Sequence, residues 1–113
     1  MEVLILGESL ERGALTEAVF HILLSVYSPM HGYGIMQNIK LISNERVNLG
    51  AGTLYGAINT LLEKNWIKSV GGEKDSRKKE YQITELGKFI IVGEIARLEE
   101  LIANGKRIVG GGN

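Results

Sequence analysis

Leu61-Leu62-Glu63-Lys64-Asn65-Trp66-Ile67-Lys68-Ser69-Val70, then Gly71-Gly72-Glu73-Lys74-Asp75-Ser76-Arg77-Lys78, then Lys79-Glu80-Tyr81-Gln82-Ile83-Thr84, is where the fold of this chain is decided. Leu54, Ile58, Leu61 and Leu62 upstream form one stripe of a helix over about 53–64, and Asn65 suits a left-handed residue closing it. Trp66 to Val70 reads as a strand, and Lys79 to Ile83 as a second with Tyr81 and Ile83 on one face. The eight residues between them begin with glycine and carry charge at the tip, so the two strands form a hairpin with a long loop. Thr84 caps the helix that follows.

Working outward, Leu15, Val19, Ile22, Leu23, Val26 and Tyr27 predict a first helix over 16–28, with Thr16 as its cap and Pro29 just beyond. Ser28 to Gly32 reads as a turn, because proline fixes its own φ and disfavours helix in the residue before it. Ile35, Met36, Ile39 and Ile42 predict a second helix over 33–43. The last helix, about 85–104, carries two apolar stripes. Leu86, Phe89 and Ile90 are expected to serve the domain's own core. Ile91, Ile95, Leu98 and Ile102 have no partner within a chain this small and are expected to form a seam with another subunit, rimmed by Glu94, Arg97, Glu99 and Glu100.

Helix, helix, helix, hairpin, helix is the order of a winged helix-turn-helix. The expected fold class is therefore mainly α with a β-hairpin (α+β): a winged helix-turn-helix plus a long C-terminal dimerisation helix. Residues 1–83 would hold the winged unit with an N-terminal extension, 84–104 the dimerisation helix, and 105–113 a flexible tail, all in one compact unit. Residues 1–12 fit a short apolar helix or a strand.

The 113 residues are 44% hydrophobic and 23% charged, which is the composition of one globular domain. Absence of cysteine excludes disulfides, thiolate zinc sites and cysteine nucleophiles, and two histidines leave little for a metal centre. No cofactor, metal or membrane partner is expected, and the location is expected to be cytoplasmic. Thirteen basic residues balance thirteen acidic ones, but not evenly along the chain. Lys64, Lys68, Lys74, Arg77, Lys78 and Lys79 outweigh Glu73 and Asp75 within 64–79, leaving +4 there, while 1–30 and 80–101 each carry −3. Such a block fits either a solvated loop or a set of phosphate contacts.

His31-Gly32-Tyr33-Gly34-Ile35, Gly52-Thr53-Leu54-Tyr55, Leu61 to Ile67 and Arg77 to Gly87, in this order and spacing, resemble the PadR family of bacterial transcriptional regulators over about residues 13–104. Ala51 stands where the family often has proline, and Asn65 where it usually has glycine; the C-terminal part is one helix rather than several. The resemblance implies a homodimeric regulator of double-stranded DNA, most often a repressor, acting at a palindromic operator. It also implies, for some members, a small hydrophobic or aromatic effector.

On that basis the third helix is the expected recognition helix. With Leu54, Ile58 and Leu61 facing inward, Thr53, Tyr55, Asn59 and Thr60 are left outside, where hydroxyls reach phosphates and asparagine can read adenine. Gly56 costs about 1 kcal/mol of helix propensity relative to alanine, which suggests a close approach there. Tyr33 opens the second helix, whose amides favour an anion; the alternative is a ring packed on the first helix. Tyr55 has a similar alternative as a half-buried packing residue. Lys74, Arg77 and Lys78 are expected on the wing against phosphate, with Lys79 less clearly aimed. His31 is expected to cap or turn, His21 to be structural, and Trp66 to sit in the core. An enzyme lacks a site here: the Gly71-Gly72 pair follows a strand but no helix follows it. A winged-helix protein-interaction module without direct DNA binding is the serious alternative, supported by the neutral net charge.

Overall fold

The computed structural model describes residues 14–71 and 79–111. The expectations for residues 1–12 and for Lys74, Arg77 and Lys78 lie outside the described residues. Along the chain come α1 (Glu17–Ser25), β1 (Met30–His31), α2 (Gly32–Ile42), α3 (Ala51–Glu63), β2 (Ile67–Val70), β3 (Glu80–Ile83) and α4 (Glu85–Val109). This is the winged helix-turn-helix order, followed by one long helix.

Local chemistry sets the element ends. Thr16 accepts a hydrogen bond from the Val19 amide at 3.1 Å and starts α1; Thr84 accepts from the Gly87 amide at 3.0 Å and starts α4. Asn65 sits at φ 62° and ends α3 in a Schellman arrangement. There its amide donates to the Leu62 carbonyl and the Trp66 amide to the Leu61 carbonyl, both at 3.0 Å. The turn after α2 uses two more left-handed residues, Asn44 and Glu45.

The core is where the stripes meet: Ile22, Leu23 and Val26 of α1, Ile35 and Ile39 of α2, and Leu54, Ile58 and Leu61 of α3. Tyr81 and Ile83 of β3, with Ile67 of β2, close it from the sheet side. β2 and β3 pair antiparallel with Ile67 opposite Ile83, as the hairpin requires. The sheet has a third member. Met30 pairs with Tyr81 and His31 with Glu80, so the order is β1-β3-β2 and part of the expected turn after Pro29 is an edge strand. Two residues are too few to show a period. The strand exists only because β3 lies alongside.

Three expectations for the last helix are corrected. It runs through Val109, so residues 105–109 are helix rather than tail. Ile91 is 2% exposed and belongs to the domain's own core, whereas Leu86 and Phe89, expected inside, are exposed, Phe89 at 74%. Helical residues advance by about 100°, and burial is centred on Gly87, Ile91 and Glu94 rather than on Leu86 and Phe89. Hydrophobicity alone could not choose between two similar stripes.

Glu94 is likewise buried rather than on a rim. Its carboxylate takes two hydrogen bonds from Arg97, at 2.8 and 2.6 Å, and one from the Leu15 amide at 3.1 Å, tying α4 to the approach of α1. The Arg97 hydrogen bonds, opposed by burial and helped by Leu15, hold its carboxyl below the ordinary 4.5. The unfolded chain then binds more protons in that range, so stability is complete above 4.5 and is lost as pH falls through the depressed value. Glu94→Gln is expected to lower the melting midpoint at neutral pH and to flatten its fall as the pH drops below 4.5. Parallel melting curves for the two proteins across pH would show that the ionised carboxylate contributes nothing.

Candidate nucleic-acid interface

α3 presents the face that its periodicity predicts. Thr53, Tyr55, Asn59 and Thr60 are all exposed, while Leu54, Ile58 and Leu61 between them are buried. Gly52 and Gly56 lie on this same face, and a Cβ built on either would meet nothing within 4 Å. Their lack of side chain is therefore not demanded by the chain's own packing.

The four outward residues do not form one cluster. At about 100° per residue, Tyr55 and Asn59 fall toward one edge of α3, Thr53 and Thr60 toward the other. Thr60 borders an open groove of about 270 Å³, lined also by Leu15, Val19, Ala57, Lys64 and Trp66. Its hydroxyl donates to the Gly56 carbonyl at 3.3 Å. Trp66 is half-buried against the core, as expected, and carries the Lys64 ammonium 5.3 Å from its ring centre.

The other edge is more tightly built. Tyr55 is 38% exposed, and its ring lies across the first residue of α2, Gly32. It is thus both partly outward and a packing residue, which joins the two alternatives for it. Tyr33, the next residue of α2, is 64% exposed and is not packed away. His31 is the N-cap of α2, its Nδ1 accepting from the Gly34 amide at 3.0 Å, as expected of a capping residue. His21 donates from Nδ1 to the Glu17 carbonyl at 2.8 Å, one turn back along its own helix, and is structural as expected. The start of α2, with its inward-running amides, thus stands beside the first turns of α3.

Tyr81 underlies this junction from β3. Burial, with a smaller contribution from Tyr55, holds its phenol above the ordinary 10.0, so it stays protonated. On the wing side, Gly71 opens the loop at φ 56°, a left-handed turn suited to glycine. Lys68 of β2 is exposed and Lys79 is half-buried at the foot of β3. Gly32 was invisible as a site residue in the sequence, where it reads as a turn glycine.

A second surface lies on α4. At a rise of about 1.5 Å per residue its 25 residues span about 37 Å. Every described residue from 99 onward is exposed, so the helix leaves the domain as an arm. Of the expected seam, Ile95 and Ile102 are exposed, at 40% and 54%, Leu98 is half-buried, and Ile91 is withdrawn into the core. Val109, seven residues beyond Ile102, extends the same line and was missed because the helix was expected to stop earlier. No helix among the described residues is long and apolar enough to cross a membrane.

Comparison with known proteins decides the family, because the model of the PadR-like family of transcriptional regulators matches residues 19–91. The chain belongs to that family. Family members are transcriptional regulators, not enzymes, and this chain has the winged-helix fold of such a regulator. A transcriptional regulator from Clostridium thermocellum, Cth-833, is 25% identical, with 91% of this chain and 95% of that one aligned at a TM-score of 0.60. The smu.1704 protein of Streptococcus mutans is 26% identical over 85% of this chain and 89% of its own, at 0.67. ZitR of Lactococcus lactis, solved in complex with DNA, is 20% identical over 84% of this chain and 60% of its own, at 0.57. No curated protein sequence matches the chain.

Proposed function

We propose that this PadR-family chain is a homodimeric, sequence-specific DNA-binding repressor that docks α3 into the major groove of a palindromic operator. The observation that carries the proposal is the outward face of α3. Thr53, Tyr55 and Asn59 stand there around two glycines with open space above them, beside the exposed Tyr33 at the start of α2. Backbone can approach a duplex closely over such glycines, hydroxyls can reach phosphate, and Asn59 can pair with a base edge. ZitR, which shares the fold and was solved in complex with DNA, supports DNA as the partner. Lys74, Arg77 and Lys78 supply the wing's share of phosphate contacts. The dimer joins through Ile95, Leu98 and Ile102 on the α4 arm, and a protein acting on the chromosome works in the cytoplasm. The proposal holds with or without a small-molecule effector.

The test is electrophoretic mobility of the upstream region of the protein's own gene, repeated across salt concentrations. Arg77→Ala/Lys78→Ala is expected to weaken binding about equally for operator and unrelated DNA. Each lost phosphate contact should reduce the log–log salt slope by about 0.9. An unchanged slope would make the wing a solvated loop. No shift of any duplex by the wild-type chain would favour the protein-interaction module instead.

A further inference from the structure

Gly32 opens α2, and it is buried. Its backbone is not in the left-handed region, where only Gly71 and Gly111 are found among the described glycines, so conformation does not demand glycine there. Space does. A Cβ on Gly32 would stand 2.0 Å from the Tyr55 hydroxyl oxygen, 2.5 Å from its Cζ and 3.0 Å from its Cε1. The three nearest atoms all belong to one ring, so the position is small because Tyr55 lies on it.

The ring is seated at a junction. His31, the residue before Gly32, is paired with Glu80 in the sheet and caps α2 through its imidazole. Tyr81, next along β3, is paired with Met30. Tyr55 itself comes from the second turn of α3, between the buried Leu54 and the open Gly56. One aromatic side chain therefore spans from the recognition helix to the point where α2 and the base of the wing meet.

We propose that Gly32 is the seat of Tyr55, and that this pair sets the position of α3 relative to α2 and the wing, making Gly32 a positioning residue for DNA recognition although it presents no side chain to DNA. The proposal rests on DNA binding as inferred above. A ring held this way fixes where Thr53 and Asn59 stand along the groove while the wing holds the backbone. Displacing it shifts base contacts more than phosphate contacts, because phosphates are met by long, adaptable side chains and bases by fixed geometry.

The test uses the full chain as Gly32→Ala, Tyr55→Leu and the double variant, with melting midpoints and binding to two duplexes. One duplex is selected from a random pool by the wild-type chain; the other is unrelated. Gly32→Ala is expected to lower the midpoint and to cut the ratio of selected to unrelated affinity by about tenfold or more, the size of one lost base contact. Its salt slope should stay near wild type. Tyr55→Leu vacates the seat, so the double variant should regain most of the midpoint lost by Gly32→Ala while its affinity ratio stays low. A merely structural defect would lower both affinities together with the folded fraction and leave the ratio unchanged. A wild-type ratio in Gly32→Ala, or in the double variant, overturns the positioning role. A double variant no more stable than Gly32→Ala overturns the seat. Absence of DNA binding by the wild-type chain would sink DNA recognition and the positioning role with it, while the midpoints alone would still decide the seat.

Discussion

Ile95→Lys/Ile102→Lys is expected to convert the proposed dimer into folded monomers and to reduce affinity for its operator by about a hundredfold or more. Both side chains are exposed on the single chain, so the change leaves its core intact. Burying an isoleucine contributes about 1.5–3 kcal/mol, and a two-fold seam counts each substitution twice. Lysines facing their own symmetry mates add repulsion and strand charge in an apolar contact. Loss of DNA affinity follows because two linked half-site contacts act at high effective concentration, and separate monomers lose that gain. Leu98 is a poorer choice, being half-buried already against its own domain. Sedimentation equilibrium and mobility shift on the same samples read both effects. Wild-type chain sedimenting as a monomer at micromolar concentration, or a doubly substituted chain that stays dimeric, would end the assignment of this seam.

Gly87→Ala should be among the most damaging single-methyl changes in the molecule. A Cβ there would lie 2.2 Å from the Trp66 carbonyl oxygen and 2.6 Å from Cγ1 of Ile83. The carbonyl cannot yield, since it already accepts from the Thr84 amide at 3.0 Å and the Thr84 hydroxyl at 3.1 Å. That hydroxyl shares its one proton with the Asn65 carbonyl, the nearer acceptor at 2.7 Å, binding the end of α3 to the start of α4. α4 would have to lift off the sheet. Alanine normally favours helix over glycine by about 1 kcal/mol, but overpacking of this kind costs about 1–3 kcal/mol and occasionally more. Net destabilisation of about 1–2 kcal/mol is expected in urea unfolding. Gly93→Ala, in the same helix with nothing within 4 Å of its Cβ, is the control and should stabilise. Equal shifts for the two variants would refute the packing argument.

Both outcomes depend on relations that the sequence carries to different depths. The outward set on α3 was legible because Leu54, Ile58 and Leu61 repeat with helical spacing, and whatever they leave must face away. Asn65, Thr16 and Thr84 were legible as helix ends because a cap acts within one turn of its own chain. The hairpin was legible because alternation puts Tyr81 and Ile83 on one face. Family membership rode on the same short motifs, each a local pattern.

Tertiary structure alone decided the rest. β1 is two residues long and is a strand only through its pairing with β3, fifty residues away. The phase of α4 turned on which of two apolar stripes met β3 and α1, and that put Ile91 inside and Phe89 outside. Glu94 reads as a surface charge until Arg97 and the Leu15 amide are seen around it. Gly32 reads as a turn residue until the Tyr55 ring is found above it. Period and capping are properties of neighbours along the chain, so the sequence determined the helices, the hairpin and the outward face of α3. Contact between stripes, and the space left for one ring, depend on residues distant in sequence, so only the packed fold decided which face of α4 is free and why position 32 has no side chain.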